Sequence, residues 1–409
     1  MNIINARRLR DYPRLMFITT WIILAINLIF RQGWLGGLNQ IIGSDFITLY
    51  AAGLIYRTDL PHLYDLSTQF AIQQSLIQPT NILGVNPYIS PPYVAQAYSL
   101  FTYTSLPIAF ILWTVLSLIF AFLAVYLCHS VIQKSLPGGL NLWQLVIIVF
   151  SFFPFIEGLQ VGQNNTLTLL LVTSLLVFTL SDHWFPAGIM AGLMIYKPQL
   201  VIGFLVIWIV WRKYKALGGF AITSFLWIGS FVIFNGIEPY KIYLNMSREL
   251  LVLPYQEGFP GYLLTTLFGF FSSVFPIQSL PVINLLTFAL TFIFLILIVW
   301  LAYRYRNKPI LEATPLLTMA IILPILVSPY TLLHDMLILV PAFILWQRYS
   351  STRILLYVAI GVYLGCFFLT LVVALTKIAL LPFISLGLIV LVILWILNPH
   401  RKFALSENQ

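Results

Sequence analysis

Charge is what this chain has least of. Of its 409 residues only 8% are Asp, Glu, Lys or Arg, where a soluble domain carries about a quarter. Apolar residues make up 60%, in runs long enough to cross about 30 Å of hydrocarbon. That pattern excludes a soluble globular protein and predicts an all-α polytopic transmembrane bundle. Cysteine is nearly missing. Cys128 and Cys366 both lie inside apolar runs, too few for a disulfide framework or a thiolate metal site, and read as buried reduced thiols. Also missing are Asp-x-Asp, Gly-x-x-x-x-Gly-Lys-Ser/Thr and Gly-x-Gly-x-x-Gly. The chain thus shows no machinery for a metal-bound nucleotide donor, ATP hydrolysis or a dinucleotide, and no cofactor or divalent metal is expected. No repeat of 20–50 residues and no low-complexity segment interrupts it.

The charges that are present are unevenly placed. The formal net charge is +9, but the cations fall in short clusters between apolar runs and not along one face, which argues against nucleic acid. Arg7, Arg8, Arg10 and Arg14 precede the first run. No small-x-small cleavage site follows cleanly, so the run is read as an uncleaved first span with a cytoplasmic N-terminus.

Twelve spans are predicted, at about 15–30, 107–133, 141–157, 164–181, 185–197, 198–211, 217–235, 281–303, 311–327, 331–347, 353–374 and 379–397. The pair at 185–211 is one apolar run split at Lys197-Pro198 because proline disrupts helices. With this alternation both termini are cytoplasmic, and 15 of the 21 Lys and Arg lie on the cytoplasmic side. The polar loops 31–106 and 236–280 then face outward within one membrane domain, 1–409. In the first loop, Asp45–Arg57 reads as a helix with Ser44 or Asp45 at its N-cap. Ala51-Ala52-Gly53 is small enough for close packing, and Pro61 starts a second helix to about Leu76. Residues 87–92 are extended, and 94–106 are interfacial or re-entrant.

The candidate functional residues converge on the outer side. Asp45 has the chemistry of a base for an acceptor hydroxyl, or simply caps its helix; spacing alone favours the cap. Lys197 sits in an apolar run, where a lysine costs roughly 2.5–3.5 kcal/mol. It either meets an anion, such as the phosphate of a lipid-linked donor, or snorkels to an interface. Glu157-Gly158-Leu159-Gln160-Val161-Gly162-Gln163-Asn164-Asn165 offers amides suited to sugar hydroxyls, though spacing favours an ordinary polar turn. In Ser328-Pro329…His334-Asp335, His334 is suited to a phosphate and Asp335 to orienting it, but only if the backbone bends. A helix start explains both equally well. Arg248 and Lys241 on the outer loop are suited to phosphate, or are solvated charges.

Taken in order, Asp45-Phe46, Leu63-Tyr64-Asp65, Pro91-Pro92, Gly162-Gln163-Asn164-Asn165, Lys197-Pro198 and Ser328-Pro329…His334-Asp335 resemble glycosyltransferase family 87 of the GT-C superfamily. Its best-known members are bacterial polyprenol-phosphate-mannose-dependent α-mannosyltransferases. The resemblance implies a polyprenyl-phosphate-sugar donor, a glycolipid or glycan acceptor, inversion, and an extracytoplasmic active site in the cell membrane. It also implies that Asp45 is the catalytic base and that Lys197 and His334 belong to the donor phosphate site, where Arg248 is the further cation expected to meet the phosphate. Tyr64, Asp65, Gln163, Asn164 and Asp335 would contact substrate. Ile89-Ser90 separates Tyr88 from Pro91-Pro92, a departure from the tighter aromatic-Pro-Pro turn of the family pattern. A secondary transporter or lipid-linked-sugar flippase is the alternative of a different class.

Overall fold

The computed structural model describes residues 6–135, 140–256, 259–347 and 352–397. Among these the chain is helical with only isolated bridges and no sheet. Among the described residues, six helices are long and apolar enough to cross a membrane. A seventh crossing is reached if the pair Leu142–Phe150 and Phe153–Val161, bent by 60°, counts as one. Five shorter apolar helices, Asn165–Leu180, Trp184–Leu193, Gln199–Val210, Leu333–Trp346 and Pro382–Leu397, fall where the remaining spans were predicted. At 1.5 Å per residue, the ten residues of Trp184–Leu193 reach about 15 Å, half a bilayer core. Of the twelve predicted crossings, six or seven are therefore helices long enough to span, and the other five are shorter apolar helices, among them the two short halves of 185–211.

Packing divides the chain into two compact units. The first comprises Met1–Val125, Asn141–Leu170 and Ile222–Phe259. At its centre is the helix Ser44–Thr58, buried at nine of its positions from Phe46 to Ile55. Phe46 is wholly buried and its ring meets those of Tyr98, Phe101, Phe110 and Trp113. Gly53 lets the short helix Pro92–Tyr98 come close: a Cβ there would stand 2.8 Å from the Ser99 nitrogen and the Tyr98 carbonyl carbon. Small residues thus have the packing role expected of them.

Local details in this unit depart from the sequence reading. The N-cap of Ser44–Thr58 is Gly43, at φ 71°, so Ser44 is already helical. Gly43 accepts that left-handed turn at no steric cost, and its N–H is held by the Gln160 carbonyl at 2.8 Å. Pro61 lies in a short 3₁₀ turn, Leu60–His62, and the next helix starts at Leu66, capped by Asp65. The chain is extended up to Pro91, whereas Pro92 is the first residue of a helix, a position that needs no N–H. The span predicted at 141–157 breaks after Phe150 and resumes as Phe153–Val161, with Pro154 in the first turn of the second piece.

The second unit comprises Tyr126–Leu140, Leu171–Ala221 and Pro260–Gln409. Its core is Thr314–Val327, buried from Thr314 through Leu326. A helix enclosed on all sides carries no polar face, and this one has none beyond Thr314 and Thr318. Gln199–Val210, Leu339–Gln347 and Pro382–Leu397 pack on it, and a Cβ at Gly203 would stand 3.2 Å from the Cα and Cβ of Ala320. Cys128 and Cys366 are buried free thiols.

Candidate active site

In the first unit, the polar residues of the long loop converge on Asp45. The carboxylate is partly buried and takes Nδ2 of Asn86 on Oδ1 at 3.0 Å and Nε2 of Gln163 on Oδ2 at 2.7 Å. Each donor is a neutral amide, so it orients the carboxylate without supplying a charge. The direction of the Gln163 amide is set from both ends, because its Oε1 accepts the Asn164 N–H at 2.9 Å. Gly162 makes this possible. It ends the helix Phe153–Val161 at φ 73°, and its carbonyl is held by the Trp113 indole at 2.9 Å. A Cβ at Gly162 would lie 2.6 Å from that of Phe46, the neighbour of Asp45. The amide-rich segment is the last part of the helix Phe153–Val161 followed by a turn at 162–164, and it delivers Gln163 to the acid. Asn164 and Asn165 are buried at the start of the following helix.

The partner the sequence reading missed is Asn86. It is 41 positions from Asp45, in a stretch without periodicity. The helix Leu66–Leu76 holds it through glutamines. Gln73 pairs with the backbone of Asn86, accepting its N–H at 3.1 Å and donating to its carbonyl at 2.8 Å. Gln69, one turn earlier, bridges two other residues, accepting the Tyr88 N–H and donating to the Leu63 carbonyl, both at 2.8 Å. Both are buried. An extended strand without a sheet neighbour still needs partners for its peptide groups, and here side-chain amides supply them. Glutamines at i and i+4 on a buried helix face were the one available signal.

Tyr64 and Asp65 have structural partners. The Tyr64 hydroxyl donates to the Ser90 carbonyl at 2.8 Å and its ring stacks on Tyr88. Burial pushes that hydroxyl far above its ordinary range. Asp65 is exposed and accepts from the hydroxyls of Ser67 and Thr68 and from the Thr68 N–H, the bonds of an N-cap. Arg248 lies on the helix Glu238–Glu249, but its side chain is outside the described residues, as is Glu257.

In the second unit, Lys197 sits in the break between Trp184–Leu193 and Gln199–Val210. Its Nζ donates to Oδ1 of Asp335 at 2.6 Å, the two side chains being 16% and 6% exposed. The other Asp335 oxygen accepts the Leu332 N–H at 3.2 Å and stands 3.8 Å from Nε2 of His334. Leu333–Ile338 is a 3₁₀ segment, and the 3.8 Å between the two side chains is longer than a hydrogen bond. Non-helical backbone and a lysine are tolerated at membrane depth where protein buries them. Three of the sequence-derived candidates are therefore neighbours, and the lysine charge is matched by a carboxylate.

Six or more apolar helices and buried polar clusters define a multi-pass membrane protein. The model of glycosyltransferase family 87 matches residues 88–329. The match spans more than half of the chain, which belongs to that family and is a membrane-embedded glycosyltransferase. Gln163, Asn164, Lys197 and Arg248 lie inside the matched region, while Asp45, Tyr64, Asp65, His334 and Asp335 lie outside it. No curated protein and no solved structure matches the chain.

Proposed function

We propose that this glycosyltransferase moves a sugar, mannose, from a polyprenyl-phosphate donor to a hydroxyl of a glycolipid or glycan. The reaction takes place on the extracytoplasmic face, with inversion at the anomeric carbon. Asp45 takes the proton of the acceptor hydroxyl as its oxygen bonds to that carbon, and the bond from carbon to phosphate oxygen breaks. The phosphodiester monoanion leaves as a phosphomonoester with one more negative charge, which cations stabilise. Lys197 and His334 are the groups suited to that charge, with Asp335 holding the lysine. The observation that carries the reading is the carboxylate of Asp45, fixed by amides of Asn86 and Gln163 from two remote parts of the chain. A base must be aimed, and a mere helix cap needs no such support. The placement of cations along the sequence supports the outward orientation.

The test is transfer of labelled mannose from synthetic polyprenyl-phosphate-mannose into a membrane lipid extract by the purified full-length protein. Wild type should form product, and Asp45→Asn should form none while eluting and melting as wild type does. Turnover by Asp45→Asn near the wild-type rate removes Asp45 as base. Product formation also separates this reading from the transporter or flippase alternative, which predicts none.

A further inference from the structure

We propose that Asn86 and Gln73 are positioning residues for the acid at the reaction centre: Asn86 aims the Asp45 carboxylate, and Gln73 fixes Asn86. The proposal rests on the reading of Asp45 as base. Four observations carry it. Asn86 Nδ2 reaches Asp45 Oδ1 at 3.0 Å and also lies 3.5 Å from the Ser44 carbonyl, so its amide is turned to the first turn of the acid's helix. Its backbone is clamped on both polar atoms by the one side chain of Gln73. Thr48 adds a third bond, donating to the same Asn86 carbonyl at 3.1 Å. Pro87 follows, which restricts Asn86 to an extended backbone.

The arrangement is costly unless it does something. Gln73 is 3% exposed, and a buried amide costs free energy unless all its groups are paired. Here the pairing is spent on one residue, whose side chain reaches the acid beside that of Gln163. A hydrogen bond to the ionised form of a carboxylate favours that form and narrows its orientation. Among the described residues, and apart from tyrosines and the acid itself, the ionisable groups on this helix and the elements packed closely on it are Arg57, His62 and Glu157, with Asp59 and Asp65 at the caps. Arg57 is at the far end of the helix, bound to Thr102, and His62 is bound to Asp59.

The test uses full-length protein in detergent without substrate. Difference infrared spectroscopy follows the carboxyl band that disappears in Asp45→Asn. Asn86→Leu and Gln73→Met, which keep volume and remove the bonds, should both move the titration of that band to higher pH. Gln69→Met is the control. It frees Tyr88 and Leu63, loosens the same loop, and should lower the melting temperature without moving the band. In the transfer assay Asn86→Leu and Gln73→Met should lower kcat by tenfold to about a hundredfold, the effect of a small misplacement, with KM little changed. If Asn86→Leu does not fold, Asn86→Ser serves, since a hydroxyl there is too short to reach. An unmoved band in Gln73→Met, or an equal movement in Gln69→Met, overturns the proposal. Retained turnover in Asp45→Asn instead overturns the base assignment, so the two failures are distinct.

Discussion

Removing one member of the Lys197–Asp335 pair should destabilise the second unit severely, and removing both should not. At 2.6 Å and an effective dielectric of about 20, the attraction is about 6 kcal/mol. Taking each ion from water costs several kcal/mol, so the intact pair adds little net stability. A single deletion is different because it leaves a buried charge alone, at about 3–5 kcal/mol. The structure also sets the order. Lys197→Met strands Asp335, which is 6% exposed, with the Leu332 N–H and the His334 ring beside it. Asp335→Asn strands Lys197, which is 16% exposed and can move toward water. Lys197→Met should therefore be the more damaging, and Lys197→Met/Asp335→Leu less damaging than either. The assay is the apparent melting temperature in detergent at one fixed scan rate, because membrane protein unfolding of this kind is read as a rate. A double variant whose loss equals the sum of the single losses would refute the coupling. A separate readout addresses chemistry: Lys197→Met/Asp335→Leu, although folded, should not transfer sugar if Lys197 serves the donor phosphate.

Gly162→Ala should reduce both stability and transfer, because its Cβ meets that of Phe46 at 2.6 Å and φ is 73°. Strain of this kind costs roughly 1–3 kcal/mol, and relieving it displaces Gln163 from Asp45; melting and turnover measured together check this. The cap at Asp65 should weaken in acid. The hydroxyls of Ser67 and Thr68 hold its carboxyl at about 2, below its unfolded value, so the cap's stabilisation is present above pH 4 or so and is lost as pH falls through about 2. Hydrogen exchange at the amides of Leu66–Gln69 should accelerate in that window, and in Asp65→Ala it should be fast at neutral pH.

What the chain alone made legible follows from local chemistry. Hydropathy identified a helical membrane protein because hydrocarbon leaves no other way to satisfy long apolar segments of backbone. Ala51-Ala52-Gly53 marked a close approach, and Pro92 marked the end of the extended stretch, although the proline proved to open a helix. Where the reading missed, a distant part of the chain decided. Ser44 had every local qualification for an N-cap. Gly43 holds that place because its N–H is anchored by Gln160.

The sequence by itself determined the solvent, the helical class and the residue types available for chemistry. All three depend on side-chain transfer energies and on backbone preferences that reach only a few residues. Only the tertiary structure decided which of those residues meet. Asp45 finds Asn86 and Gln163 at separations of 41 and 118 residues, and Lys197 finds Asp335 at 138. No periodicity within a helix encodes such a separation. Those partnerships arise when buried polar groups are brought together by packing and must satisfy one another.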